Sequence, residues 1–558
     1  MRRIFQLFHT ELSGVHQAAF LLALATIASN ILGMFRDRLL ASSFGAGVEL
    51  DMYYAAFRIP DFLYAVSLFF AASTAVIPVF LETAKENEPR AKQVINSLFT
   101  IFVLAMIVIL GAAFVVMPAL VGRLFPGFDL KSAHTVSMLS RILLLSPLFL
   151  GVSNLVSSVV QSYRRFFVYA LSPLCYNLGI IVGILFLAPR FGLAGIVWGV
   201  ALGAFLHFAI QLPSLLALGY LPRFVFSVPA EIRSVLAMSL PRTLGLTASQ
   251  LTFLAVTGIA STLGAGSIAV FNLSYNLQSI PLAVIGLSYS VAAFPTMAEL
   301  IVKNKLNVFL DHLIAASRHI VFWTLPVSVL FIVLRAQIVR TLYGAGAFNW
   351  EDTRLTAACL ALFALGIVAQ SLVLLFVRAF YAVGKTTLPV IINVLSSLST
   401  IAASFLFVHM LSASDAWART FAALLRVGDI PGAAVLGLPL AFALGSILNA
   451  ILLGFGFGYV ESEFKKRKLV RSLGDIAGGS VLLAGVSYGG LALFARVFNL
   501  NTFLGIFLQG LSAGLCGIAL AALFLYIRKN AEFMDISKVL RQKFWQSETV
   551  APEPEHLL

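Results

Sequence analysis

Charged residues are scarce in this chain. Of its 558 residues only 11% are Asp, Glu, Lys or Arg, whereas 60% are hydrophobic. An ordinary soluble domain carries about 25% charged residues, so this composition excludes a soluble globular protein and leaves little room for a large soluble domain. The chain is therefore predicted to be a polytopic membrane protein.

Side chains that support metal or covalent chemistry are also few. The three cysteines, Cys175, Cys359 and Cys516, are scattered through apolar stretches, which excludes a disulfide framework or a cysteine metal cluster. None of the eight histidines has metal-ligand spacing to another histidine or to a cysteine, and no glycine-rich phosphate loop follows a strand. We therefore predict no metal site, no cofactor and no enzymatic activity.

Stretches of about 20 apolar residues, enough to cross a hydrocarbon core as a helix, recur along the whole chain. They are too long and too uniformly apolar for the alternating strands of a barrel, so an all-α architecture is predicted. We place fourteen transmembrane spans at residues 16–40, 50–82, 94–122, 134–161, 166–189, 192–219, 232–262, 268–300, 311–341, 354–381, 386–411, 432–459, 470–496 and 502–527.

The distribution of Lys and Arg among the loops predicts the orientation of the chain. With the N-terminus inside, the cytoplasmic connections hold most of the basic residues, including the run Lys465-Lys466-Arg467-Lys468. Both termini are therefore expected on the cytoplasmic side. This bias also accounts for the net charge of +14, so we expect no nucleic-acid partner.

The first half of the chain returns about 218 residues later. Gly45-Ala46-Gly47 reappears as Gly264-Ala265-Gly266, and Tyr163 reappears as Tyr381. Because each copy holds six spans, the copies are parallel and predict two lobes around a cavity that can open alternately to either side. The predicted division is an N-terminal lobe at 1–225, a C-terminal lobe at 226–460, two extra helices at 461–530 and a cytoplasmic tail at 531–558.

Charged side chains occur in the first two spans, where a lipid-facing helix could not hold them. Asp51, Arg58 and Asp61 share one face of the second helix because they are spaced by seven and three residues. Ionisable groups at membrane depth usually face a bundle interior or a watery cavity, and we favour a cavity for Arg58 and Asp61. For Arg36 and Asp37, near the end of the first helix, a cavity position and a structural ion pair at the interface are equally open.

Prolines recur at matching places in the two copies. A proline inside a helix frees the carbonyl four residues earlier, and bendable helices suit a gate between lobes. An ordinary structural role is equally open for any single one, because prolines are common in membrane helices. The four candidates are Pro60, Pro78, Pro281 and Pro295.

Arg242 is a further candidate for the cavity. It follows Pro241 about ten residues into the seventh span, which at ~1.5 Å per residue is near mid-membrane. The alternative is a span that begins later, with Arg242 at its cytoplasmic end. We favour the cavity.

The chain contains an ordered series of short motifs, which includes Arg36-Asp37, Phe44-Gly45-Ala46-Gly47 and Ile77-Pro78-Val79-Phe80. A later motif, LYGAGAF, occupies Leu342 to Phe348. Together they resemble the lipid II flippase family (MurJ/MviN), within the superfamily of multidrug, oligosaccharidyl-lipid and polysaccharide exporters. The resemblance covers essentially the whole chain and implies fourteen helices, two lobes, a central cationic cavity, and a groove for a polyprenyl tail at the last two spans.

The chain departs from the family pattern at several cavity positions. Asp61 stands where the family usually has Asn, and Asn30 replaces the arginine of a Ser-Arg pair in the first helix. Asn276, five residues before Pro281, replaces a cavity arginine of the eighth helix. The candidate cavity residues are Arg36, Asp37, Asp51, Arg58, Asp61, Arg242, Asn30 and Asn276.

The resemblance implies a flippase that moves lipid II, the undecaprenyl-pyrophosphate-linked peptidoglycan precursor, from the cytoplasmic to the outer leaflet by alternating access. Arginine binds phosphate through a planar fork, so Arg36, Arg58 and Arg242 are expected to grip the headgroup. The resemblance also implies a bacterial inner-membrane protein with lipid II and membrane lipids as partners, and we expect a monomer.

Two alternatives stay open because several family arginines are missing. One is an exporter of another lipid-linked glycan or amphiphile, and the other is a non-transporting envelope scaffold.

Overall fold

The computed structural model describes residues 15–71, 73–220, 222–413, 416–460 and 466–545. Within these ranges the chain forms helices and no β-strand, in agreement with the predicted all-α architecture. The helices are α1 (Val15–Phe44), α2 (Val48–Ala71), α3 (Ser73–Glu86), α4 (Glu88–Leu124), α5 (Leu130–Leu143), α6 (Leu145–Ser162), α7 (Phe166–Val182), α8 (Ala188–Phe191), α9 (Leu193–Ala209), α10 (Leu212–Ala217), α11 (Ala230–Ser261), α12 (Ser267–Pro281), α13 (Ser288–Val302), α14 (Leu306–Val333), α15 (Arg335–Tyr343), α16 (Trp350–Ala364), α17 (Ile367–Ala382), α18 (Thr387–Ser412), α19 (Ala416–Leu424), α20 (Gly437–Val460), α21 (Lys466–Phe494), α22 (Phe503–Ile527) and α23 (Ala531–Trp545).

Eleven or twelve helical segments of the described chain could cross a membrane by length and composition, and two further long helices correspond to the remaining predicted spans. Eleven helical segments of the described chain are long and apolar enough, and the bent pair α16–α17 brings the number to twelve. The helices α1 and α2 are long as well, but each carries at least three charged residues. Adding these two to the twelve gives the fourteen predicted spans. The chain is a multi-pass membrane protein.

By its internal contacts the chain divides into two compact units, and both are discontinuous in sequence. The first unit comprises Met1–Ile280, Val339–Phe363 and Thr386–Asn449. The second comprises Pro281–Ile338, Ala364–Lys385 and Ala450–Leu558. The lobe boundaries given above stay a prediction.

The internal repeat reappears in the local backbone conformation. Just beyond α6, Arg164 adopts a left-handed conformation with φ 56°, and Gly384 does the same just beyond α17 with φ 75°. In both copies the next residue closes the helix end: the Arg165 N–H donates to the Val160 carbonyl at 3.1 Å, and the Lys385 N–H donates to Phe380 at 2.9 Å.

The candidate gating prolines lie within or at the end of helices. Pro60 in α2 leaves the Ala56 carbonyl without its helical donor, and the Ser140 hydroxyl of α5 donates to that oxygen at 3.0 Å. Pro281 ends α12, and the chain continues as a π-helical turn at Leu282–Leu287. The other two, Pro78 and Pro295, lie inside α3 and α13.

An extended segment, residues 222–229, connects α10 to α11 and lies along α4; we call it the strap. Its Arg223 N–H donates to the Asn96 side chain at 3.1 Å, and its Val225 N–H donates to the Thr100 hydroxyl at 2.8 Å. Two side-chain contacts extend the line: Gln93 donates to Ser227 at 2.9 Å, and Arg90 donates to Glu231 at 2.9 and 3.1 Å. The connection is therefore attached along its length to α4.

In the second unit the C-terminal helix α23 packs on the transmembrane helices. The core cluster beneath it comprises Phe322, Ile476 and Leu525. Phe533 and Ile536 of α23 pack against this cluster, and Arg318 of α14 forms an ion pair with Glu532, whose side chain is 2% exposed. Apolar burial and one buried ion pair therefore hold the start of α23 in place.

Candidate substrate cavity

A cavity of about 230 Å³ lies within the first compact unit, among α1, α2, α7 and α12. Five of the eight predicted cavity residues line it: Arg36, Asp37, Arg58, Asp61 and Asn276. The rest of its lining is Leu40, Tyr53, Tyr54, Phe57, Tyr176, Ile180 and Asn272.

Arg36 and Asp37 form an ion pair on the wall of this cavity. The Arg36 Nε and Nη2 atoms both donate to Asp37 Oδ1, at 2.9 and 2.7 Å. The Arg36 Nη1 atom donates to Asn177 Oδ1 at 3.2 Å, and the Asn177 amide in turn donates to the Ser29 hydroxyl at 3.2 Å. Arg36 is thus held in one orientation by residues of α1 and α7. A cavity position and a structural ion pair were both open for these two residues. The structure combines them, because the two residues form an ion pair and also line the cavity.

Asn276 binds the other oxygen of the same carboxylate. Its side-chain amide donates to Asp37 Oδ2 at 2.9 Å, so Asp37 accepts hydrogen bonds from both sides. An arginine at 276 would add a charge here, whereas the amide satisfies Asp37 without one. Asp37 is 4% exposed, and a buried carboxylate needs such partners.

Arg58 crosses from α2 to α12. Its Nη2 atom donates to the Asn272 side-chain oxygen, and its guanidinium carbon lies 5.4 Å from the centre of the Phe253 ring. Phe253 belongs to a cluster of aromatic rings with Phe271, Tyr275, Phe363 and Phe442. Arg58 is only 8% exposed, and its Nε is buried without a hydrogen-bond partner in the described chain. Arg58 therefore lines the cavity and keeps one buried donor atom without a partner in the described chain.

Asp61 lies one turn further along α2 and also lines the cavity. Its carboxylate makes no hydrogen bond or ion pair with any described residue. Two arginines and two aspartates line the cavity, so the formal charge of this lining is zero. The lining is polar but has no excess of cations.

Three predicted residues lie elsewhere. Asp51 accepts hydrogen bonds from the backbone N–H of Gly266 at 2.6 Å and of Ala269 at 2.7 Å, so it caps the start of α12. Asn30 lies on α1 and does not line the cavity. The side chain of Arg242 falls outside the described residues, although its backbone continues α11.

Sequence reasoning missed the tyrosines of the cavity. Tyr54, Arg58 and Asp61 are spaced by four and three residues, so the helical periodicity that singled out the charges also marks Tyr54. The Tyr54 hydroxyl is buried and has no partner in the described structure, which makes it a second free hydrogen-bonding group. Tyr176 and Asn272 carry no comparable signal, because they come from helices whose relative placement the sequence does not specify.

The cavity is suited to binding rather than to bond chemistry. Within the described ranges, no group of three or more His, Cys, Asp or Glu could hold a metal ion. The free groups are the Arg58 Nε, the Tyr54 hydroxyl and the Asp61 carboxylate. The arginine and the tyrosine can donate hydrogen bonds to the oxygens of a polar headgroup, and the carboxylate can accept hydrogen bonds from its N–H or O–H groups.

A multi-helix membrane fold with a polar cavity between its helices is typical of membrane transporters. A family model described as "Lipid II flippase MurJ" matches residues 40–509. The chain belongs to this family.

Individual relatives agree with this assignment. The chain is 25% identical over 476 residues to "Lipid II flippase MurJ" of Burkholderia cenocepacia, covering 83% of this chain and 87% of the relative. It is 30% identical over 382 residues to "Probable lipid II flippase MurJ" of Thermotoga maritima, covering 67% and 76%.

Solved structures share the fold. A structure described as "Lipid II flippase MurJ, inward closed conformation" aligns with a TM-score of 0.73 at 23% identity, covering 91% of this chain and 99% of that chain. An inward-facing multidrug resistance transporter of the MATE family aligns with a TM-score of 0.61 at 14% identity, covering 79% and 97%.

Proposed function

We propose that this protein is a lipid II flippase that carries the undecaprenyl-pyrophosphate-linked headgroup from the cytoplasmic to the outer leaflet. Membership of the MurJ family supports the proposal. The observation that carries it is Arg58, whose guanidinium is buried in the cavity with an unsatisfied Nε. An unpaired buried cationic donor is costly unless an anion arrives to accept from it.

In this proposal the pyrophosphate binds Arg58, with Arg242 as a second cation and Tyr54 as a neutral donor. Arg36 orients the site and is itself neutralised by Asp37, so it contributes less to the grip. The polyprenyl tail stays in the bilayer along the last two spans. Alternating access follows from the two predicted lobes, with the four prolines as bending points.

The proposal includes the cell compartment and topology. The protein lies in the bacterial inner membrane, works as a monomer, and has both termini in the cytoplasm, as the loop charges favour. It uses no cofactor, and it draws on an ion gradient, the membrane potential or substrate flow.

A second candidate function is favoured by one observation. The described lining of the cavity has a formal charge of zero, because Asp37 and Asp61 offset Arg36 and Arg58. Such a lining also suits a less anionic lipid-linked glycan, whose hydroxyl groups would bind Tyr53, Tyr54 and Asp61.

Complementation of a strain depleted of its own lipid II flippase tests both candidates. We expect the wild-type chain to restore growth, Arg58→Ala to abolish it, and Arg58→Lys to restore it partly, because an ammonium keeps the charge but loses the planar fork. Arg123→Ala is the matched control, since Arg123 is exposed and does not line the cavity.

The membrane level of each variant is measured alongside growth, so that misfolding is separated from lost transport. No rescue by a well-expressed wild-type chain would contradict lipid II as the cargo. Full rescue by Arg58→Ala would show that Arg58 does not grip an anionic headgroup, and would favour the less anionic cargo.

A further inference from the structure

Arg141 lies on the outer surface of the first unit, away from the cavity. Its Nε atom donates to the backbone carbonyl of Phe114 at 2.9 Å, from α5 to α4. Its guanidinium carbon lies 4.6 Å from the centre of the Phe114 ring, which is the geometry of a cation–π contact. The guanidinium is therefore held by a hydrogen bond at one edge and by an aromatic ring against one face.

The Phe114 carbonyl is available because of Pro118. In an α-helix this oxygen would accept the N–H of residue 118, but proline has none. At membrane depth a free carbonyl is expensive, and the Arg141 Nε satisfies it. The proline on α4 thus creates the position that the arginine on α5 occupies.

The surroundings of this pair face lipid. Phe114 is 50% exposed, and its neighbours Val115 and Val108 are 72% and 71% exposed. Arg123, an exposed residue near the end of α4, is nine residues beyond Phe114, or ~14 Å along the helix. The pair therefore lies inside the apolar part of the span and below the level of the headgroups.

The direction of the side chain points to one leaflet. Side chains on a helix lean towards its N-terminus, and α5 begins at the 125–129 loop, on the same side as Arg123. Arg141 therefore reaches towards that surface, which is the outer one in the predicted orientation.

Only one edge of the guanidinium is used within the protein. The Nη1 and Nη2 atoms of Arg141 make no hydrogen bond with any described residue. A guanidinium held among exposed apolar side chains is costly unless an anion binds it, and its two Nη atoms match two oxygens of a phosphate.

We propose that Arg141 binds the phosphate of an anionic glycerophospholipid of this leaflet. The lipid phosphodiester is drawn below the level of the surrounding headgroups, where the leaflet thins locally around α4 and α5, and its two free oxygens accept hydrogen bonds from the Nη atoms. Opposite charge selects an anionic headgroup over a zwitterionic one, whose own cation competes for the phosphate. Phe114 and Pro118 fix the orientation of the guanidinium, so less conformational entropy is lost when the lipid binds.

Native mass spectrometry of the purified full-length protein tests this site. Phosphatidylglycerol is titrated against wild type and two variants, with phosphatidylcholine as the zwitterionic probe. We expect Arg141→Gln to weaken phosphatidylglycerol binding at the tightest site about tenfold, because hydrogen bonds to a charged group are lost. Arg123→Gln is the matched control, since it removes one arginine from the same surface without touching this contact.

Pro118→Ala is the second variant, and it provides an independent test of the site if Arg141→Gln misfolds. It returns an N–H to the Phe114 carbonyl and keeps the arginine, so the helix is not weakened. We expect this variant to bind phosphatidylglycerol several-fold less tightly than wild type, because Arg141 loses its fixed orientation. Equal binding by wild type, Arg141→Gln and Pro118→Ala would overturn the proposal, and so would an equal preference for phosphatidylcholine.

Discussion

The Asp51 carboxylate accepts a 2.6 Å hydrogen bond from the backbone N–H of Gly266. Asp51 follows the Gly45-Ala46-Gly47 turn of the first copy of the repeat, and Gly266 ends the matching turn of the second copy. One residue of the first copy therefore closes the turn of the other. Gly266 has φ 86°, and a Cβ atom there would lie 1.9 Å from the Ala46 carbonyl oxygen. The two turns are in such close contact that only glycine fits.

The first prediction concerns this contact between the turns. Gly266→Ala should lower the melting temperature of the purified protein by several degrees, because a left-handed φ costs a non-glycine residue about 1–2 kcal/mol and the Cβ clash adds to it. A thiol-reactive dye measures the transition through the buried Cys359, in a background in which the exposed Cys516 and the half-buried Cys175 are replaced by Ser.

Gly264→Ala is the matched control for this prediction. A Cβ at Gly264 meets its nearest atom, in Gly432, at an ordinary 3.8 Å. Equal melting temperatures for the two variants would contradict the tight packing of the turns.

The second prediction concerns Asn276. Asn276→Arg places a guanidinium beside Asp37 and changes the formal charge of the described lining from zero to +1. If the cargo carries a pyrophosphate, retention of lipid II by the purified protein should increase about tenfold or more, since a charge-assisted hydrogen bond contributes about 1.5–3 kcal/mol. Asn276→Gln keeps the amide and serves as the control. Weaker retention by Asn276→Arg than by Asn276→Gln would speak for a less anionic cargo.

The third prediction concerns the attachment of α23. Glu532→Gln should lower the melting temperature measurably, because it removes a charge from a buried ion pair and leaves Arg318 without its counter-ion. Glu299→Gln is the control, since Glu299 and Lys303 are 61% and 56% exposed and such surface pairs contribute only about 0–1 kcal/mol. A larger effect of Glu299→Gln would show that α23 is not held by its ion pair.

The fourth prediction concerns the strap. Replacing both Asn96 and Thr100 by Ala should accelerate tryptic cleavage after Arg223 several-fold, because proteolysis requires the local backbone to detach. Thr135→Val is the control, since the Thr135 hydroxyl donates only to its own helix. Unchanged cleavage in the double variant would mean that the strap is not held by these side chains.

The ion pair between Arg90 and Glu231, just beyond the strap, should make the attachment of the strap sensitive to acid. The hydrogen bond from Arg90 lowers the pKa of Glu231 below its usual value. The contribution of this pair to stability is therefore complete above the unfolded pKa, and it disappears only as the pH falls through the lowered folded pKa. Cleavage at neutral pH should be insensitive to a change of one pH unit, and the rate at which the strap opens should increase only under acidic conditions.

The sequence was most informative where a pattern extends over many consecutive residues. Fourteen apolar spans could be placed because each needs about 20 consecutive residues, a signal that local exceptions do not erase. The charged face of α2 was also visible, and Arg58 and Asp61 do line the cavity. The tyrosines of that face were overlooked because an aromatic residue does not stand out from the apolar residues around it in the sequence.

Contacts between distant helices were not accessible in this way. Asn177 and Asn272 are single amides in apolar runs, and only the fold places them beside Arg36 and Arg58. The donors for proline-freed carbonyls are similar: the Pro60 position predicts a free Ala56 carbonyl, but not that Ser140 fills it. Asp51 lies on the charged face of α2 that the spacing predicts. Its role as the cap of α12 was not predicted, because its partners are backbone amides that sequence patterns do not reveal.

The strap also determines where this polypeptide can be divided. Gln93, Asn96 and Thr100 find partners in residues 222–229, so a first fragment that ends before the strap would leave these side chains of α4 without them. Two co-expressed fragments should reassemble better when the break comes after Glu231 than when it comes before Arg223. For fluorescent-tag insertion or split-protein reporters, the junction between the two copies is thus a poor entry point, although it looks like an ordinary loop in the sequence.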